Sequence, residues 1–549
     1  MFAELAIADR QNFLNANERG PLIGGKDSYT IAEAGHQLIR DEAGWSGVLG
    51  KAANVTYGFR ANAPATMPDD TAGFSRFNAT QIAQAELAMT GWSDAANITF
   101  TRVGFGAAGE SAYTDQATIL LANYSSDADT ATAFAYYPGS TLWSSAAGDV
   151  WINTASGSNL APAAGNYAAM VLVHELGHAI GIAHPADYES DDAPSYAANA
   201  LYYEDSRQFT VMSYFSESNT GASFGGRYAA SPLLDDIAAI QLEYGANMST
   251  RVGDTVYGFN SNAGRPWFEA SSAASKLIVA VWDAGGNDTF DFSGYSNAQT
   301  IDLRAGNFSS VGGLTGNVAV AAGATIENAV GGSGADAITG NVSGNVLTGA
   351  AGDDVIYGGA GGDTLSGGEG RDFLRGEEGA DYLVGGAAFD DMHGNMGNDT
   401  LFGGQGDDWV VGGKDNDLLH GELGADLVHG SMGSDTLYAG DGADVVRGGQ
   451  DNDIMYGEAG DDWLSGDRGD DTIWGGSGAD SFHIWGAGGL DKIMDFNRAE
   501  GDRVLVSEGA TYSFAQVGAD VTINISGGAQ MVLVGVSTAA LTDGWIVSI

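Results

Sequence analysis

From Gly331 to His483 the chain repeats every nine residues, seventeen times without an insertion, in the form G-G-x-G-x-D-x-U-x, where U is apolar. The sixth position is filled by Asp336, Asp354, Asp363, Asp372, Asp381, Asp390, Asp399, Asp408, Asp417, Asp426, Asp435, Asp444, Asp453, Asp462, Asp471 and Asp480, and the series is broken only by Asn345. The eighth position is apolar throughout, as in Ile356, Leu365, Leu401, Leu437 and Ile473. No helix and no ordinary alternating strand has this period. It predicts a solenoid in which the glycines make a tight turn, the x-U-x tripeptide makes a short strand with one residue facing inward, and two nonapeptides complete an 18-residue coil. Repeat n then stacks on repeat n+2, and carboxylates and carbonyls converge between the turns. A hard cation with six oxygen ligands at ~2.3–2.6 Å fits there, so each repeat aspartate is a candidate Ca²⁺ ligand.

Charge supports that reading. The formal net charge is −49, from 71 acids against 22 bases, and the repeat segment alone carries −25. Without cations such a segment repels itself and stays unfolded; with Ca²⁺ it folds. Extracellular Ca²⁺ modules work at ~10⁻⁴–10⁻³ M, which places the folded form outside the cell. The acidity argues against nucleic acid or an anionic membrane as partner. There is no cysteine, so packing or metals must supply what disulfides supply elsewhere. The first twenty residues, with Asp9 and Arg10 early, lack the basic and apolar regions of a cleavable signal. No uninterrupted apolar run approaches the ~18 residues of a membrane span.

Ahead of the repeats, residues 1–25 read as a leader or propeptide. A helix is expected over Thr30–Glu42, a strand over Asn54–Arg60, a helix over Ala79–Thr90, and strands over Asn97–Val103, Ala117–Asn123 and Ala133–Pro138. A last helix is expected from an N-cap at Ser231, with Pro232 at its first position, to a stop at Gly245. These define an α+β or α/β domain over 26–248. A β region, 249–330, leads to the repeats at 331–483, and a C-terminal β region follows at 484–549.

Within the first domain, Met170–Pro185 reads M-V-L-V-H-E-L-G-H-A-I-G-I-A-H-P. His174 and His178, at i and i+4 of an apolar helix, share one face. Gly181 permits a sharp turn, and His184 can then complete a tripod with the fourth metal position open to water. Glu175, about 100° around the helix, is placed to take that water's proton. A lone histidine on an apolar helix is usually structural. The full H-E-x-x-H-x-x-G-x-x-H is a different matter, and it uses three of eight histidines. Met212 in F-T-V-M-S-Y-F would by default be core packing, but 34 residues after His178 it also fits a Met-turn beneath the histidines. Gly221–Gly225 matches the G-x-S-x-G serine-hydrolase elbow, but the polar stretches on either side exclude the strand and helix that Ser223 would need.

With these stretches taken together, the chain resembles the serralysin family of metzincin endopeptidases, including Pro185 after the last histidine, R-Q-F-T-V-M-S-Y-F and S-P-L-L-D-D-I-A-A-I-Q. The resemblance implies His174, His178 and His184 as ligands of one Zn²⁺, Glu175 as general base, Met212 as a structural support and Tyr214 as a switchable fifth ligand that swings to the oxyanion. It implies that Ala133, Phe134, Ala135 and Tyr136 form an edge strand against which extended peptides lie. It also implies interdomain calcium sites at Arg251, Gly253, Thr255, Asp283, Gly285 and Asp288, and at Gly286, Thr325 and Glu327. The expected fold is an α+β metzincin domain followed by an all-β parallel β-roll and a C-terminal β region. The expected function is a secreted, calcium-stabilised zinc endopeptidase of broad specificity, a monomer exported by a type I ABC apparatus through an uncleaved C-terminal signal. The alternative is a calcium-dependent surface or matrix protein with accessory protease activity. The array exceeds that of ordinary members, and the weaker repeats Gly340–Thr348 and Gly385–His393 are candidate joins or lost calcium sites.

Overall fold

The computed structural model describes residues 21–40, 44–68, 72–126, 131–140, 146–155, 157–188, 194–486 and 488–549. The first twenty residues of the expected leader lie outside them; Leu22–Ile23 and Lys26–Asp27 form a small antiparallel pair. The chain divides into two compact units, one reaching residue 290 and including 302–326, the other formed by 291–301 and 327–549. No described helix is long and apolar enough to cross a membrane.

In the first unit, α1 (Ile31–Ile39) starts at a capping box: Thr30 Oγ1 accepts from the Glu33 N–H, and the Glu33 carboxylate accepts from the Thr30 N–H at 2.8 Å. It stops earlier than expected because Arg40 turns left-handed, φ 52°. Helix α2 (Ala79–Ala95) is capped by Asn78 and Gln81 and runs five residues past Thr90. Gly91, where it passes Pro232, leaves no room for a side chain: a Cβ there would lie 2.9 Å from Pro232 Cδ. The sheet has the order β2 (Ile98–Arg102), β1 (Ala53–Phe59), β3 (Ile119–Tyr124), β5 (Val150–Asn153), β4 (Ala133–Ala135). All neighbours are parallel except β4, which pairs antiparallel with β5 at the edge. Strand β5 went unread in the sequence because it is only four residues long and wholly buried, so it shows no alternation. Helix α3 (Tyr167–Ala179) carries the first two histidines, and α4 (Tyr196–Asn199) is a single turn. Helix α5 (Leu234–Tyr244) starts three residues after the expected Ser231 cap. Asp236 displaces it by accepting the Leu233 N–H at 2.8 Å. Gly245 ends the helix with φ 79°, as expected.

The second unit is the roll. Successive repeats alternate between two parallel sheets, and each strand pairs with the one 18 residues on, Val346 with Thr364 in one sheet and Val355 with Phe373 in the other. All seventeen eighth-position side chains, from Ile338 to Phe482, have no exposed surface. Each contributes ~1.5–3 kcal/mol of hydrophobic burial against an extended chain. The strands are six residues long rather than three, as in Thr364–Glu369, because pairing resumes through the second glycine and its successor. The sixth-position backbone N–H donates to the Oδ1 of the aspartate 18 residues on, for example Asp354 to Asp372 at 2.8 Å. This ladder begins where Gln299 donates to Asp336 and ends on Asp502. It passes through Gly385–His393 without a break, Asp390 donating to Asp408 at 2.8 Å. Both sheets extend into residues 484–549, one through an antiparallel meander of Tyr512–Val517, Asp520–Ile525 and Gln530–Leu533.

Candidate active site and cation cradles

Helix α3 is buried along nearly its whole length and holds His174 and His178 one turn apart. Their Nδ1 atoms donate to backbone carbonyls, His174 to Val211 at 2.8 Å and His178 to Ile182 at 2.7 Å. That fixes the tautomer and leaves both Nε2 lone pairs facing outward from the rings. The chain then turns at Gly181, φ 109°, a conformation that a side chain would strain. His184 returns with its Nε2 3.1 Å from that of His174 and 3.0 Å from that of His178. Three lone pairs so close repel one another unless a cation lies among them. Helix α1 secures the return: Arg40 donates to the His184 carbonyl at 3.1 Å and Gln37 to the Pro185 carbonyl at 2.8 Å. Burial lowers His174 to about 4 and His178 to about 3, and His184 further, so all three are neutral donors. The chemistry of this donor set fits a zinc tripod.

Glu175 is buried, its Oε2 has no hydrogen-bond partner, and burial pushes it to about 8. It lines a cavity of about 440 Å³ together with Ala133 of β4, Arg207 and Tyr214. Tyr214 is 45% exposed, its ring 4.6 Å from His184 and 6.0 Å from His174. A second cavity of about 290 Å³, bordered by Tyr137 and Arg40, opens beside His184. Met212 is fully buried under α3: a Cβ added at Gly177, between the two helical histidines, would lie 2.7 Å from its sulfur. Ser223 sits in an isolated bridge to Thr315, and no strand leads into it.

Several residues that build this site escaped the sequence reading. Asp236 Oδ1 accepts from Thr210 Oγ1 at 2.6 Å and its Oδ2 from the Val211 N–H at 2.8 Å, so it holds the turn whose carbonyl orients His174. Asp205 accepts from Tyr188 Oη and from Ser213 Oγ, and the Tyr188 ring lies 4.9 Å from that of Tyr214. Burial raises both Asp205 and Asp236 to about 6. The only sequence hint of Asp236 was its place in the first turn of a helix.

The aspartates of the roll form the second kind of site. From Asp354 to Asp480, fifteen buried Oδ2 atoms have no hydrogen-bond partner. All but Asp444, whose repeat begins with Ala439, pack against the first glycine of their own repeat; a Cβ at Gly358 would lie 2.3 Å from Asp363 Oδ2 and 2.7 Å from the Gly376 carbonyl. Such oxygen-lined cradles without donors suit Ca²⁺. Burial, with the neighbouring carboxylates adding to it, raises these aspartates above the usual carboxylate range, to about 6 at Asp372 and about 8 at Asp354. The first turn differs. Asp336 Oδ2 accepts from the Gly332 N–H and Gln299 Nε2, and Asn345 donates to the Glu327 carbonyl at 2.8 Å. In the other unit, Thr255 N–H donates to Asp288 Oδ1 at 2.8 Å, Gly285 N–H donates to Asp283 Oδ1 at 2.9 Å, and Gly286 admits no Cβ beside the Gly253 carbonyl and Asp288. Arg251 spends its guanidinium on Asp94 and the Trp282 carbonyl, leaving only its backbone for a cation. Thr325 and Glu327 fall in different units.

An α+β domain with two histidines on its central helix and a third beyond the turn that follows, with a parallel β-roll after it, defines a metzincin zinc endopeptidase with an RTX-type C-terminal region. A family model described as Matrixin matches residues 51–209, and one described as Peptidase M10 serralysin C terminal matches 246–483. Serralysin C of Dickeya chrysanthemi is 51% identical over 331 residues, 59% of this chain and 67% of that protein. Serralysin G of the same organism is 47% identical over 346 residues, 61% and 70% of the two chains. Metallopeptidase AprA of Pseudomonas marginalis is 46% identical over 349 residues, 62% and 71%. The chain belongs to the serralysin family and is a secreted zinc metalloendopeptidase.

Proposed function

We propose that His174, His178 and His184 hold the zinc, that Glu175 is the general base, and that the enzyme cleaves extended protein segments with broad sequence tolerance. The observation that carries this reading is the convergence of the His174 and His178 Nε2 atoms on that of His184, at 3.1 and 3.0 Å, beside a buried Glu175 oxygen without a hydrogen-bond partner. When bound, zinc supplies Lewis acidity that polarises the scissile carbonyl and eases deprotonation of water. Glu175 takes the proton from the attacking water and returns it to the leaving amine. Tyr214, whose ring stands over His184 and His174, donates its hydroxyl proton to the developing oxyanion. Met212 fixes α3 from below. The outer edge of β4, Ala133–Ala135 with Tyr136 beyond it, which is the last strand of its sheet among the described residues, pairs with substrate backbone, so recognition depends little on side chains. That edge bordering the Glu175 cavity supports the assignment.

The same reading gives Ca²⁺ to the cradles of Asp354–Asp480 and to the set around Asp283 and Asp288. It gives the chain a leader over 1–25, a catalytic domain over 26–248, a linking β region over 249–330, the roll over 331–483 and a C-terminal region over 484–549 that carries an uncleaved signal for a type I ABC exporter. Glu175→Gln tests the core of it: casein hydrolysis should fall by ~10²–10⁴-fold with zinc content unchanged. Retention of full activity would refute the assignment.

A further inference from the structure

On the outer face of one sheet of the roll lies a groove of about 510 Å³ that the peptidase chemistry does not use. Its floor follows the 18-residue register: His429 aligns with Arg447, and Met432 with Gln450 and then Arg468. One wall is Trp463, stacked on His483 at 5.3 Å, and the rim is Trp485, 44% exposed. Arg447 is paired with Asp467 at 2.8 Å. Arg468 and Gln450, both exposed, carry no side-chain hydrogen bond or ion pair among the described residues, and the buried Nδ1 of His483 has no partner. Two of the five cationic side chains in the whole −25 repeat segment thus line one groove, which sums to +1 with its histidines neutral.

We infer that this groove binds an acidic polysaccharide of the uronate type, as an accessory to the peptidase and separate from its cleft. An exposed indole face takes the apolar face of a sugar ring, planar amide and guanidinium groups take its hydroxyls, and Arg468 takes a carboxylate through a fork of two donors. The other aromatic column of the roll offers no such face. Phe402, His420, Tyr438, Tyr456 and Trp474 stack on one another at 4.6–4.8 Å, so each ring between the ends is covered on both sides. A peptide is the poorer fit, because the strands beneath the groove are hydrogen-bonded on both edges and leave no backbone for it to pair with. The anionic surface around the groove repels a polyanion, so its approach is confined to the local positive charge of Arg447 and Arg468.

The test uses the full calcium-loaded chain and measures quenching of tryptophan fluorescence and calorimetric binding with polygalacturonate, dextran and poly-glutamate. Saturable binding to polygalacturonate is expected, at least about tenfold tighter than to dextran or poly-glutamate. Trp485→Ala and Arg468→Gln should each weaken it about tenfold, and Arg468→Lys less, with casein hydrolysis unchanged in all three. Both positions are exposed, so an unchanged thermal midpoint certifies the fold. Absence of saturable binding, equal binding of dextran, equal binding of poly-glutamate, or indifference to both substitutions overturns the inference.

Discussion

At the scale of single residues, the proposed metal tripod depends on groups that lie outside it. Asp236 holds the Val211 segment, Val211 holds His174, and α1 holds the carbonyls of His184 and Pro185. Removing such a support weakens metal binding by ~10–100-fold in comparable sites. Asp236→Ala is therefore expected to lower zinc affinity by about that factor, measured by competition with a chelator, while Asp236→Asn, which retains one acceptor, should lose less. The proposed ligand set was legible in the sequence because His174, His178 and His184 lie within one helix and one turn, where spacing alone dictates direction. Asp236, Asp205 and Tyr188 were not, because they reach the site through tertiary contacts between segments 17 to 26 residues apart. No local period records such contacts.

At the scale of elements, the roll follows its repeat almost without exception, because each strand is determined by one apolar residue and one carboxylate. What the repeat did not disclose is how far pairing extends beyond the tripeptide, since that depends on the close approach of backbone in the next coil. A Cβ at Gly379, φ 149°, would lie 1.5 Å from the Gly361 carbonyl. Gly379→Ala should thus lower the calcium-loaded thermal midpoint, by the equivalent of ~1–3 kcal/mol or more. Gly157→Ala, where nothing lies within 4 Å, should change stability by less than ~0.5 kcal/mol. Differential scanning calorimetry distinguishes the two. The start of α5 escaped sequence reading because Asp236, held by Thr210 and Val211, accepts the Leu233 N–H, and the whole of β5 because it is buried on every side.

At the scale of the whole molecule, protons and calcium compete for the same oxygens. In the folded chain without cations, burial raises the aspartates of the roll, to about 6 at Asp372, about 7 at Asp399 and about 8 at Asp354 and Asp390. The native state then binds protons more tightly than the unfolded chain, so this stabilisation is complete below pH ~4 and is lost as pH rises through 6 to 8. Chelated protein is expected to keep more β-structure at pH 5 than at pH 8 by circular dichroism, and the calcium concentration needed for folding should rise as pH falls. Identical spectra of the chelated chain at both pH values would count against the cradles as cation sites. On the proposal that the cradles hold Ca²⁺, calcium replaces protons at neutral pH, and folding of the roll is expected to depend on that metal.

The pairing of every strand with the one 18 residues away has a consequence for how such a chain can change length. Removing residues 367–384, two repeats, leaves every downstream strand in its own sheet; removing 367–375 exchanges the two sheets from that point on. The single-repeat deletion would carry the C-terminal meander to the opposite face relative to the first turn and should refold less completely with calcium than the double one. Duplication and loss in this array are thereby held to even steps: its grammar counts coils, although its sequence is written in halves of them.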